Sequence, residues 1–131
     1  HAGQISQNHK FLKGLRNSKS LIYGECGGFM VLGDALIDAR GHSHAMGGLL
    51  PLTTSFAKRK LHLGYRQLKP LGGPWSTPLR GHEFHYSSIE NEGKADRLFK
   101  ASDAAGQDLG NIGLRRDNVM GSYAHIICEA P

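Results

Sequence analysis

Ile5, Phe11, Leu12 and Leu15 recur at roughly helical spacing and the pattern stops near Asn17, which predicts an amphipathic helix at the start of the chain. The apolar run SLIYGE that follows has the length of a short buried strand. From Gly27 to about Ala39, the residues Phe29, Met30, Leu32, Gly33, Leu36 and Ile37 alternate with Asp34 and Asp38 at helical period, predicting a second helix. The texture then changes to short β-like pieces: MGGLLPL, TSFAKRK, GYRQLKPL, GHEFHYSSI, RLFKASD, LGNIGLRR and VMGSYAHI, separated by Gly, Pro, Asn and Asp. GGPW at 72–75, with Pro78, marks the longest loop, and no internal repeat is visible. The expected class is α/β with a mixed sheet, helix-rich at the start and strand-rich afterwards.

At 131 residues the chain can bury one ordinary core, and 39% hydrophobic content argues against disorder. No window approaches the apolar length of a membrane helix, so no membrane association is expected. The opening HAGQISQNHK has neither a basic nor an apolar leader region, and two distant cysteines are too few for a disulfide scaffold; a cytoplasmic setting is the expectation.

The formal net charge of +5 admits an acidic partner, but the positive residues are dispersed apart from KRK at 58–60 and RR at 115–116. KRK reads as a solvated face or a protected strand edge. Nothing resembles a recognition helix, a zinc module or a basic stripe with interleaved aromatics, so no nucleic acid is expected.

The stretch GECGG at 24–28 lies where the predicted strand hands over to the predicted helix. A nucleophile on a sharp strand-to-helix turn needs small neighbours, which Gly24, Gly27 and Gly28 supply. At a helix N-terminus, unpaired N–H groups favour thiolate over thiol, so Cys26 is expected to hold an attacking anion near neutral pH. The Gly27 N–H would form one half of an oxyanion hole. A buried packing cysteine is the alternative, although packing alone does not require glycine on both sides.

A cysteine nucleophile needs a base, and the chain has eight histidines. His125, in GSYAHI, would sit at a strand end, where sites on open α/β sheets gather; His82 and His85 in GHEFHYS and His42 and His44 in GHSH compete. HEFH is not a zinc helix motif, and on a strand its histidines face opposite sides; GHSH offers two same-face ligands without Cys or carboxylate company. No metal site is expected. Cys128 lacks flanking glycines and reads as a packing residue.

YGECGGFMVLG, LGYR, RGHEFHYS and GSYAHI, in this order and spacing, resemble the C-terminal glutamine amidotransferase domain of the cobyrinic acid a,c-diamide synthases. The cysteine and histidine motifs are also similar to those of cobyric acid synthases. The resemblance covers nearly the whole chain and implies a flavodoxin-like, class I glutamine amidotransferase domain over 1–131, truncated at its N-terminal side. It implies Cys26 as nucleophile, His125 as the histidine that activates it, and glutamine as substrate. A complete enzyme of this kind has an N-terminal domain that uses ATP and Mg²⁺ to phosphorylate the a and c acetates of a corrin ring, which ammonia then amidates.

Three departures qualify that resemblance. No phosphate-binding G-x-x-x-x-G-K-[ST] occurs, so the ATP-using domain is expected to be absent from this chain. A Gly-rich segment that supplies the other half of the family's oxyanion hole would precede His1, so the chain alone is expected to have little glutaminase activity. Classical glutamine amidotransferases carry Glu two positions after the histidine, where this chain has Ile127; a Cys–His dyad is implied, with Glu129 the substitute orienter to weigh.

As a strand, GHEFHYS puts Glu83, His85 and Ser87 on one face and His82, Phe84 and Tyr86 on the other. Phe84 and Tyr86 are expected to pack into core, and by analogy with class I relatives the backbone at His85 and Tyr86 lines the glutamine pocket. Trp75 either covers a surface left by the missing domain or anchors its loop. An exposed strand edge would favour exchange between copies and a homodimer. Two other readings stay open: a cysteine hydrolase unrelated to glutamine chemistry, and a non-catalytic module that binds a partner through its basic surface.

Overall fold

A computed structural model describes residues 2–130. Two short helices open it, α1 (Ala2–Gln7) and α2 (His9–Asn17). They are split where the Asn8 side chain leaves the helix to accept the Phe11 N–H at 3.1 Å, a side-chain N-cap. Strand β1 (Ile22–Glu25) then leads into α3 (Gly27–Leu32).

The second predicted helix is half as long as its periodicity suggested. It stops at Leu32, and Ala35–Ile37 form strand β2. Gly33 is extended, and a Cβ there would lie 2.6 Å from the Leu52 carbonyl oxygen. The carbonyls at the end of α3 are taken by other backbone: Val31 accepts from Gly47 at 2.8 Å and Leu32 from Leu49 and Leu50 at 2.9 Å. Leu36 is therefore buried between strands rather than on a helix face, an apolar spacing that serves either structure.

The remaining strands are β3 (Ser43–Ala45), β4 (Leu52–Ser55), β5 (His62–Pro70), β6 (Leu79–His85), β7 (Ser88–Glu92), β8 (Asp96–Ser102), β9 (Asp108–Arg116), β10 (Val119–Ser122) and β11 (His125–Glu129). They form a seven-stranded sheet, β1-β10-β9-β8-β5-β6-β11, and a four-stranded sheet, β3-β2-β4-β7. Among the described residues, only β1–β10 and β2–β4 pair in parallel. The fold is thus mixed α/β with strands dominating.

The predicted strand VMGSYAHI breaks at Tyr123–Ala124, and its halves serve different partners: β10 lies between β1 and β9, while β11 pairs with β6 at the far edge. The large sheet curls as a result, so that Glu25 on one edge strand accepts the Ile126 N–H of the other at 2.7 Å.

One apolar cluster gathers Phe29, Leu32, Leu50 and Leu52 under α3 with Leu114 and Tyr123; another gathers Leu68, Leu79, Leu98 and Phe99 inside the curled sheet. Each fully buried Leu or Phe contributes on the order of 1.5–3 kcal/mol. Phe84 and Tyr86 do not join them. Both lie on the outer face, 49% and 38% exposed, in edge-to-face contact with each other, because no element among the described residues covers that side of β6.

The basic clusters resolve differently. KRK lies in the exposed loop between β4 and β5. Arg115 and Arg116 tie loops to the sheet, donating to the carbonyls of Leu71 at 3.2 Å and Leu49 at 2.9 Å.

Candidate active site

Cys26 stands between β1 and α3 with φ 50° and ψ −107°, a backbone conformation that costs an ordinary residue about 1–3 kcal/mol. The strained residue of GECGG is therefore the cysteine itself. Its N–H donates to the Ser122 carbonyl at 2.9 Å and its carbonyl accepts from Met30 at 3.1 Å, which pin the turn on both sides. The flanking glycines divide the work. A Cβ at Gly24 would lie 2.7 Å from the Gly28 carbonyl carbon, so only hydrogen fits. At Gly27 and Gly28 a Cβ would meet open space, so these positions leave the approach to Cys26 uncluttered.

The surroundings of Cys26 work against the expected thiolate. Burial pushes the Cys26 thiol above its ordinary range, and the charges of Glu83 and Glu25 push the same way; a hydrogen bond from Gly27 opposes them without prevailing. The shift favours thiol over thiolate at this sulfur.

His125 is the first residue of β11, and its Nδ1 lies 3.6 Å from Glu25 Oε1. The other oxygen of that carboxylate, Oε2, accepts from the Tyr23 hydroxyl at 3.0 Å and from the Ile126 N–H at 2.7 Å. Residues 25–26 at the end of β1 and 122–126 at the β10–β11 bend are thus bound together. Glu25 sits inside GECGG and shares a strand face with Tyr23 by simple alternation, the one sequence signal that points to it. Ile127 points to solvent, and Glu129 pairs with Leu79, the first residue of β6, whereas His125 pairs with His82 in its middle.

A second wall comes from β6. Glu83 and His85 face inward, as alternation requires. Arg66 Nε donates to Glu83 Oε2 at 2.8 Å, and His85 Nε2 lies 3.7 Å from Glu83 Oε1. Burial raises the Glu83 carboxyl, but His85 and Arg66 outweigh it and hold it below the usual carboxylate range. The His85 ring is stacked between His62, 4.7 Å away, and Tyr123, 3.7 Å away. Its Nδ1 meets the Ser87 carbonyl at 2.8 Å, and since a carbonyl only accepts, that nitrogen carries the proton. Nε2 is buried with no hydrogen-bond partner among the described residues.

Tyr123 closes the group: its hydroxyl pairs with the buried Ser87 at 2.9 Å, and burial pushes it up to about 12. Tyr86 presents its ring to the opposite face under Arg59, leaving only its backbone, whose carbonyl accepts from Lys60, on this strand end. The remaining candidates lie elsewhere. His42 and His44 flank Asp38, at 3.9 and 2.8 Å, and brace a turn at the small sheet. Cys128 is exposed beside an irregularity in β11 and is no packing residue. Trp75 lies 5.2 Å from Tyr23, edge to face, and 5.3 Å from Phe99; it buttresses the strand that ends in Glu25.

The chain is similar to known proteins. A family model described as a CobB/CobQ-like glutamine amidotransferase domain matches residues 1–131. Hydrogenobyrinate a,c-diamide synthase from Brucella anthropi is 58% identical over 131 residues, and the enzyme of that name from Brucella abortus is 55% identical over the same length. The one from Rhodobacter capsulatus is 49% identical over 134 residues. Each alignment covers 97% of this chain and 30% of the relative, so the chain spans about a third of the length of the curated relatives it matches. With its strained cysteine turn bound to the histidine strand, the chain belongs to the CobB/CobQ-like glutamine amidotransferase domain family.

Proposed function

We propose that this chain is the glutaminase domain of an ATP-dependent amidoligase that converts the a- and c-acetate carboxylates of a corrin to amides in cobalamin biosynthesis. The relatives' shared name makes hydrogenobyrinate the acceptor in this reading. The observation that carries it is Cys26, held at φ 50° on a strand-to-helix turn whose N–H is bonded to the strand leading into His125.

His125 takes the thiol proton as Cys26 Sγ attacks the side-chain amide carbon of glutamine, forming the C–S bond. Negative charge develops on the amide oxygen, toward which the Gly27 N–H is available. The C–N bond then breaks, the imidazolium returns its proton to the leaving nitrogen, and ammonia departs. Water attacks the γ-glutamyl thioester with His125 as base, giving glutamate and the free thiol. The inward His85 and the backbone at Tyr86 line the glutamine pocket. ATP and Mg²⁺ act on the corrin carboxylates in a synthetase portion outside this chain, which receives the ammonia in a cytoplasmic enzyme that functions as a homodimer.

In the complete protein, Cys26→Ala is expected to abolish glutamine-dependent amidation and glutamate release while ammonia-dependent amidation continues. A glutamine-like chloroketone is expected to label Cys26. Undiminished glutamine use by Cys26→Ala would remove the reading.

A further inference from the structure

We infer that Glu25 is the positioning carboxylate of the Cys26–His125 pair, clamped by Tyr23 and by the Ile126 N–H so that it aligns the imidazole through Nδ1. This rests on the glutaminase reading and adds a residue to it. An imidazole that serves a thiol through one nitrogen needs its other nitrogen held, or its ring turns freely and its proton occupies either position. The strand of His125 offers no such group: Ile127 is apolar, and Glu129 lies at the far end of the β6 pairing.

Glu25 reaches His125 from across the curl of the large sheet. Its Oε2 is engaged twice, by the Tyr23 hydroxyl at 3.0 Å and the Ile126 N–H at 2.7 Å, so the carboxylate has one free oxygen and a fixed plane. That free oxygen, Oε1, is the one 3.6 Å from His125 Nδ1. Catalytic hydrogen bonds in a resting enzyme are often this long and tighten with substrate. Tyr23 cannot drift, because its ring stands edge-on to Trp75, which in turn packs on the buried Phe99. Burial and the adjacent Glu25 charge push the Tyr23 hydroxyl well above its ordinary range, so it stays a donor. The Ile126 N–H belongs to the residue after His125, so the same carboxylate holds both the backbone and the ring of the histidine strand.

The charge of Glu25 also disfavours the Cys26 thiolate. A carboxylate that helped only the sulfur would not be placed there, and this makes its two effects separable by experiment. Glu25→Gln keeps the shape and loses the charge. In the complete protein, kcat for glutamate release is expected to fall on the order of 10- to 100-fold, with KM for glutamine within about threefold. Ammonia-dependent amidation should be unchanged, and alkylation of Cys26 by iodoacetamide, which needs a thiolate but no aligned imidazole, should be equal or faster.

A kcat within about twofold of the parent would overturn the assignment. So would an equal loss of ammonia-dependent amidation, which marks damage to the fold, or a parallel loss of alkylation, which places the effect on the sulfur. Loss of glutamate release in Cys26→Ala together with full activity in Glu25→Gln rejects Glu25 alone, whereas retention in Cys26→Ala rejects the glutaminase reading itself.

Discussion

The Cys26 N–H donates to the Ser122 carbonyl at 2.9 Å, so the turn that carries this cysteine hangs on the end of β10. The two strands approach closely because both are glycine at the same level: Gly24 pairs with Gly121, and a Cβ at Gly121 would lie 2.6 Å from the Gly24 carbonyl oxygen and 2.9 Å from the Phe29 ring.

Gly121→Ala is therefore expected to push β10 from β1 and to cost roughly 1–3 kcal/mol, the usual penalty for overpacking. Urea denaturation measures the loss, and glutamine-dependent turnover should fall with it because the Cys26 turn moves. Gly14→Ala, where nothing lies within 4 Å, is the control that should leave turnover alone.

The φ of Cys26 makes a prediction of opposite sign. Glycine tolerates φ 50° and ψ −107° without strain, so Cys26→Gly should relieve about 1–3 kcal/mol while losing about 0.5–1 kcal/mol to unfolded-chain entropy. A rise in thermal midpoint with complete loss of glutaminase activity is the expected pair of results; Cys26→Ala, which keeps the strain, should show only the loss of activity.

The protonation of the sulfur can be read directly. With the Cys26 thiol raised by burial and by Glu83 and Glu25, its thiolate is scarce at neutral pH and appears only above the ordinary thiol range. In a Cys128→Ser background, which removes the exposed thiol, the iodoacetamide rate at pH 7 should fall below that of free cysteine and climb steeply at higher pH. A plateau already reached near pH 7 would show an activated thiolate instead.

Alternation in GHEFHYS correctly separated Glu83 and His85 from Phe84 and Tyr86, since a strand's period of two is local geometry. Which face turned inward was not local. It followed from tertiary packing: His62 pairs with His85 across β5–β6, Tyr123 stacks on the same ring, and Phe84 is left facing out. The helix expected to run to Ala39 failed for a related reason: the apolar spacing of Leu32, Leu36 and Ile37 suits a helix or a buried strand, and the Leu52 strand arriving beside Gly33 decided between them.

The sequence by itself determined that a strand hands over to a helix within residues 24–28, because glycine content and apolar runs constrain backbone and solvent contact over a few residues. It equally determined membership of a family whose motifs lie in this order. Only the tertiary structure decided that the surroundings of Cys26 disfavour its thiolate and that Glu25 reaches the strand of His125. Burial and charge at a sulfur depend on what other segments place around it, and those segments, at 83 and 122–126, lie far along the chain.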